Sequence, residues 1–167
     1  MSLLDRNGAI TDEWVRGKPG DDAPALIVEQ SDLIAAIAQR LPGQRIGLSI
    51  PNIVHPVNLA PEQDALDLIA IAFPKFNDGR GFSIAKSLRA QGYKGIIRAT
   101  GALIPDLFAF ALESGFDEIE LSDEQAARQP VEQWLHALTL IGASYQDGED
   151  GTVSIFKRRR AAAAVDA

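Results

Sequence analysis

Lys75, Asp78, Arg80 and Ser83 stand close together in the stretch FPKFNDGRGFSIAKSLR, between an apolar run and a helical-looking segment. Arginine offers a forked set of donors suited to oxyanions, and the start of a helix adds free backbone N–H groups. Gly79 and Gly81 are expected to supply tight, positive-φ turns that let the backbone approach a ligand. If neighbouring strands end at one edge, Arg98 and Asp106 from the next connection face the same cleft. Two readings of the cluster stay open. In one, Asp78 caps the helix and Arg80 pairs with Asp78 or Asp106 as an internal brace. In the other, Lys75, Asp78, Gly79, Arg80, Ser83, Arg98 and Asp106 bind an anion or a partner, or Lys75 or Asp78 acts as acid/base on an anionic substrate.

The elements that must position these residues follow from hydrophobic periodicity. ALIVE (25–29), QRIGLSI (44–50), LDLIAIAFP (66–74), KGIIRAT (94–100) and FDEIEL (116–121) read as strands. Between them, Leu33, Ile34, Ile37, Ala38 and Leu41 recur at helical spacing, as do Phe82, Ala85, Leu88 and Arg89, and then Leu107, Phe108, Ala111 and Leu112. Gly92 sits where a left-handed residue would end the second helix. Alternation of this kind predicts an α/β fold with a mainly parallel sheet, like half of a TIM-type barrel. A two-part helix broken near Pro130 follows, then a short strand in TVSIFK. GAITDEWVRG suggests a short N-terminal strand or hairpin. We expect one domain over residues 1–156 and a basic, disordered tail over 157–167. Half a barrel leaves an edge and part of a face to cover, which terminal elements or a second copy must do. A homodimer is expected, through the C-terminal helix with Trp134 or a free sheet edge.

Composition narrows the chemistry. The 167 residues contain no cysteine, which removes thiolate nucleophiles, disulfides and cysteine-held zinc or iron–sulfur groups. A net charge of −7 disfavours nucleic acid as a partner. His55 and His136 are far apart, with no carboxylate at ligand spacing, so no metal is expected. Glycine-rich nucleotide loops are absent, and no cofactor is expected. Charges at Asp5, Arg6, Asp12 and Glu13 do not suit a leader peptide, and no apolar run suits a membrane span, so a cytoplasmic protein is expected.

FPKF and DGR followed by FSIAKSLR, then Gly92-Tyr93, Arg98-Ala99, Gly101, GFD at 115–117 and Tyr145-Gln146, resemble the bacterial family of unknown function 934. Asp12 to Trp14 and Pro61-Glu62 fit as well, so the likeness spans most of residues 10–146. The resemblance implies association with assimilatory sulfite reduction, and sulfite reductase or another sulfur-assimilation enzyme as partner. Relatives commonly carry Asp where Ala102 stands, Gln at Leu107 and an Arg-Cys pair at Glu113 and Ser114. The loss of those polar residues beside a retained Lys75, Asp78, Arg80 and Arg98 implies an accessory, binding role rather than shared catalysis.

Overall fold

The computed structural model describes residues 2–59 and 62–141. A hairpin of β1 (Ser2–Asp5) and β2 (Gly8–Ile10) opens the chain, followed by a two-residue strand β3 (Val15–Arg16). Then come β4 (Ala25–Glu29), α1 (Leu33–Ala38), β5 (Arg45–Pro51), β6 (Leu68–Phe73), α2 (Arg80–Ala90), β7 (Ile96–Gly101), α3 (Phe108–Glu113), β8 (Glu118–Leu121), α4 (Asp123–Arg128) and α5 (Val131–Ile141). One sheet holds the eight strands found among the described residues, in the order β2-β1-β8-β7-β6-β5-β4-β3. From β3 to β8 every pairing is parallel, and β1 joins β8 antiparallel. The fold is thus α/β with a mostly parallel, curled half-barrel. The TVSIFK strand and the 157–167 tail lie outside the described residues.

Strand alternation sorts the sheet into two faces. Leu26, Val28, Ile46, Leu48, Ile50, Ile69, Ile71, Phe73, Ile97, Ala99, Ile119 and Leu121 point to one side and pack with Leu33, Phe82, Ala85, Leu88, Phe108 and Trp134 of the helices. Burial of this size dominates the fold's stability. On the other side Ile27, Leu68 and Ala70 pack with Trp14 and Ile96. The short N-terminal hairpin is made by β1 and β2, which places Leu3 and Leu4 of β1 in the core. Trp134 corrects the expectation that it forms a dimer surface. It is fully buried, its ring stands edge-on to Phe108 with centroids 5.6 Å apart, and its Nε1 donates to the Gln129 carbonyl, so it offers no surface to a second copy.

Two βα units are finished in the same way. Gly92 (φ 92°) and Gly115 (φ 103°) take the left-handed position after α2 and α3. Tyr93 N–H then returns to the Leu88 carbonyl and Phe116 N–H to that of Ala111, closing both helices as Schellman motifs with a buried aromatic behind each glycine. At the same end, Asp67 and Asp117 each accept a backbone N–H from the neighbouring strand, Ile46 and Ile97 respectively. Each is also paired with an arginine, Arg40 just past the end of α1 or Arg89 in the last turn of α2. These clamps hold the strand N-termini and leave the opposite edge to the long loops.

Gly81 owes its identity to packing. A Cβ there would collide with the Phe73 ring, which itself packs at a tilt against Phe82 and Phe116 with centroids 5.0 and 5.7 Å away. Gly79 has φ −73°, and its nearest side-chain neighbour would be 3.8 Å away. Neither glycine has positive φ, so the tight-turn expectation for both is corrected. Gly81→Ala is expected to cost about 1–3 kcal/mol through overpacking, whereas Gly79→Ala stays within about 0.5 kcal/mol of the parent. Urea midpoints of the two variants check this.

Candidate functional site

The loop after β6 delivers Asp78 to a position just ahead of α2, where its backbone N–H bonds the Lys75 carbonyl. Its carboxylate takes both forks of Arg80, from Nε at 2.8 Å and from Nη2 at 2.6 Å. That hydrogen-bonded contact with Arg80 holds the Asp78 carboxyl well below its ordinary range, and the nearby Asn52 amide adds to the effect. Asn52 is nonetheless buried with its Nδ2 outside ordinary hydrogen-bond geometry. Arg80 remains 58% exposed, so the pair braces the loop at the surface. The Arg80–Asp78 pairing of the brace reading is thus present, at the surface rather than internally, but the expectation that Asp78 caps α2 is corrected: the N-cap is Gly79, without a side-chain cap bond.

A cleft of about 430 Å³ runs beside this pair, between the 52–56 connection and α2. Asn52, Ile53, His55, Arg80, Ser83 and Ser87 are among its walls. Ile53, 68% exposed, stands at its rim. Lys75 is exposed and outside this lining. Asp106 is elsewhere, in a cleft of about 390 Å³ with Ile104, Gln129, Gln133 and His136. The expected single cleft is thus divided.

Arg98 departs furthest from expectation. It is the third residue of β7 and not the start of a loop, and at 1% exposure it is buried. Its neighbours Ile97 and Ala99 lie under the helices, so Arg98 points to the opposite face of the sheet from α2. Nη1 and Nη2 form a two-pronged bond to Asp12 at 2.8 and 2.9 Å, Nε reaches Glu118 at 2.8 Å, and Nη1 also meets Glu120 at 3.3 Å. Glu120 is held in turn by Arg16 of β3 at 2.8 Å. Arg98 and Arg80 do not share a ligand space.

The cluster sets three carboxylates against two guanidinium groups in and over the concave face. Burial pulls the Asp12 carboxyl upward, but its bonds to Arg98 and to the Trp14 N–H outweigh this and leave it below its ordinary value of 3.8. For Glu118 burial wins over Arg98, and the carboxyl is raised above 4.5. The signal for this cluster was present in the sequence: in DEIEL, strand alternation puts Glu118 and Glu120 on the same face, and Arg98 interrupts the apolar run IIRAT. Asn52 and Ile53 carried no comparable signal, since they sit in a proline-rich connection with no periodic pattern.

Residues 47–156 match the family described as bacterial protein of unknown function (DUF934), a stretch covering more than half of the chain. The chain belongs to the DUF934 family. No curated protein matches it. The DUF934 stretch includes Arg98, Glu118, Glu120 and the whole Arg80 edge, but Asp12 and Arg16 lie before it. The partners that complete the ionic cluster therefore come from outside the family's matched region.

Removing Arg98 leaves buried carboxylates without compensation. Arg98→Ala is expected to lose about 3–5 kcal/mol of stability, read by chemical denaturation. The pH response has two opposed parts. Asp12 and Asp78, lowered in the folded chain, contribute stability above their unfolded values that disappears as pH falls through the folded ones. Glu118, raised in the folded chain, contributes below its unfolded value and loses that contribution as pH rises through the folded one. Glu118→Gln, which mimics the protonated acid, is expected to gain stability relative to the parent between pH 4 and pH 8. Urea midpoints measured across that range test the sign.

Proposed function

We propose that this DUF934 member is a non-catalytic accessory protein that docks a protein partner at the edge built by residues 52–56, loop 75–83 and the first turns of α2. The observation that carries this reading is the pairing of Asp78 with both forks of Arg80 beside an open cleft rimmed by exposed Ile53. A small oxyanion entering there meets a carboxylate already seated on the guanidinium, which repels it. Asp78 is also a weak proton acceptor, because its carboxyl is held so far down. An exposed apolar side chain next to a charged, hydrogen-bonding rim suits a protein surface better than either alternative.

The pathway part rests on the family resemblance. We place the partner among the enzymes of assimilatory sulfate or sulfite reduction, with sulfite reductase first, and the protein in the cytoplasm. No helix among the described residues is long and apolar enough to cross a membrane. Homodimer formation stays within the proposal through the outer strands β2 and β3, whose far sides are unpaired among the described strands.

Deleting the gene is expected to abolish growth on sulfate as sole sulfur source and to leave growth on cysteine intact. Wild-type protein restores growth, while Arg80→Glu and Ile53→Asp fail to restore it despite melting within a few degrees of the parent. In purified form, Arg80→Ala weakens binding to sulfite reductase by roughly tenfold. A deletion strain that grows normally on sulfate, with unchanged sulfite reductase activity in extracts, removes the pathway reading.

A further inference from the structure

The second and third clefts at the strand C-terminal edge share a wall. One, of about 350 Å³, includes Phe76, Leu103 and Gln125; the other, of about 390 Å³, includes Asp106, Gln133 and His136; Ile104 and Gln129 belong to both. They form one elongated groove on the other flank of loop 75–83 from the Arg80 cleft. We propose that this groove is a binding site for an extended peptide segment that carries an apolar side chain toward Phe76 and a lysine or arginine toward Asp106.

Three features select that occupant. First, Gln125 already shows what an amide on this wall does: its Nε2 donates to the Gly101 and Leu103 carbonyls of the chain leaving β7, at 3.0 and 3.2 Å. Gln129 and Gln133 continue the same wall, and their side-chain amides make no hydrogen bond among the described residues, so each offers a donor and an acceptor to an incoming backbone. An extended peptide presents that pairing at every residue. Second, Phe76 is 55% exposed at one end and provides an apolar anchor. Third, the charge is complementary to a basic residue. Asp106 has no ion-pair partner among the described residues, whereas Arg128 near the Phe76 end is already bonded to Glu124. The wall itself is held in place, since Trp134 is locked in the core and its Nε1 donates to the Gln129 carbonyl.

This site is independent of the Arg80 surface, and the test separates them. Random linear peptides displayed on phage are selected against the full chain, and the recovered sequences are made as fluorescent synthetic peptides for polarisation titration. The expected result is a shared motif of one apolar and one basic residue at fixed separation. Binding falls roughly tenfold or more in Phe76→Ala and in Gln133→Ala, and is unchanged in Arg80→Ala. Asp106→Lys, a surface change, redirects selection to peptides with an acidic residue at the basic position. Failure to recover a shared motif overturns the proposal. So does a motif peptide that binds the Phe76→Ala and Gln133→Ala variants as tightly as the parent, or one whose charge preference ignores Asp106→Lys.

Discussion

Arg98 holds the curvature of the sheet. Between β3 and β8 lie five strand spacings, which in a flat sheet would separate Arg16 from Glu120 by about 24 Å, further than the two side chains reach together. Their 2.8 Å contact therefore requires the sheet to curl until β3 overhangs β8. Arg98 anchors the other end of that closure by gripping Asp12 in the segment before β3. Trp14, between the two grips, fills the concave face above Gly47, where a Cβ would lie 3.1 Å from its ring. Arg45 covers the indole at 5.0 Å and pairs with Glu13. A five-residue segment is thus secured by three ion pairs and one aromatic ring.

This explains how half a barrel handles its concave face. An all-apolar interior would need a second layer of side chains to fill it. Here the sheet presents charge on β7 and β8 beside an apolar patch of Ile27, Leu68, Ala70 and Ile96 that receives Trp14, and the chain's own N-terminal segment supplies the groups that match both. Ion pairs taken out of water are costly unless every member is hydrogen-bonded, and Arg98 meets that condition with bonds from Nε, Nη1 and Nη2. Charges also fix register in a way that interchangeable aliphatic contacts do not: a shift of one residue along β8 would turn Glu118 and Glu120 toward the helices.

Most of the fold was legible because its signals were local. Continuous apolar runs bounded by glycine and proline marked the parallel strands, helical spacing marked α2 and α3, and Pro130 marked the break between α4 and α5. The candidate site was legible only in part. Asp78 and Arg80 are two residues apart and find each other without tertiary help. Arg98 and Asp12 are 86 positions apart, and their pairing depends on the sheet's curl, which no local pattern encodes. Arg98 was misplaced because, although KGIIRAT was read as a strand through residue 100, Arg98 was counted with the connection that follows and so aimed at the strand ends, whereas the strand's alternation turns it inward. Asp106 and Arg80 were separated by the depth of the intervening connections, a property of loop path rather than residue type.

The twin aspartate clamps at the strand N-termini have a mechanical meaning. Asp67 and Asp117 each tie a helix-end arginine and a neighbouring strand's N–H into one knot, so that end of the molecule is cross-linked by hydrogen bonds from strand to strand and strand to helix. At the opposite end no aspartate among the described residues bridges a strand N–H to an arginine; the ties there are the Gln125 amide on the Gly101 and Leu103 carbonyls and the Ala102 N–H on the Phe73 carbonyl. Amide protons of Ile46 and Ile97 should accordingly be among the last to exchange with solvent, while those of the 52–56 and 75–79 connections open without disturbing the base. Such a gradient, stiff at the foot and compliant at the rim, lets the rim change its residues and its shape while the barrel segment beneath keeps its geometry.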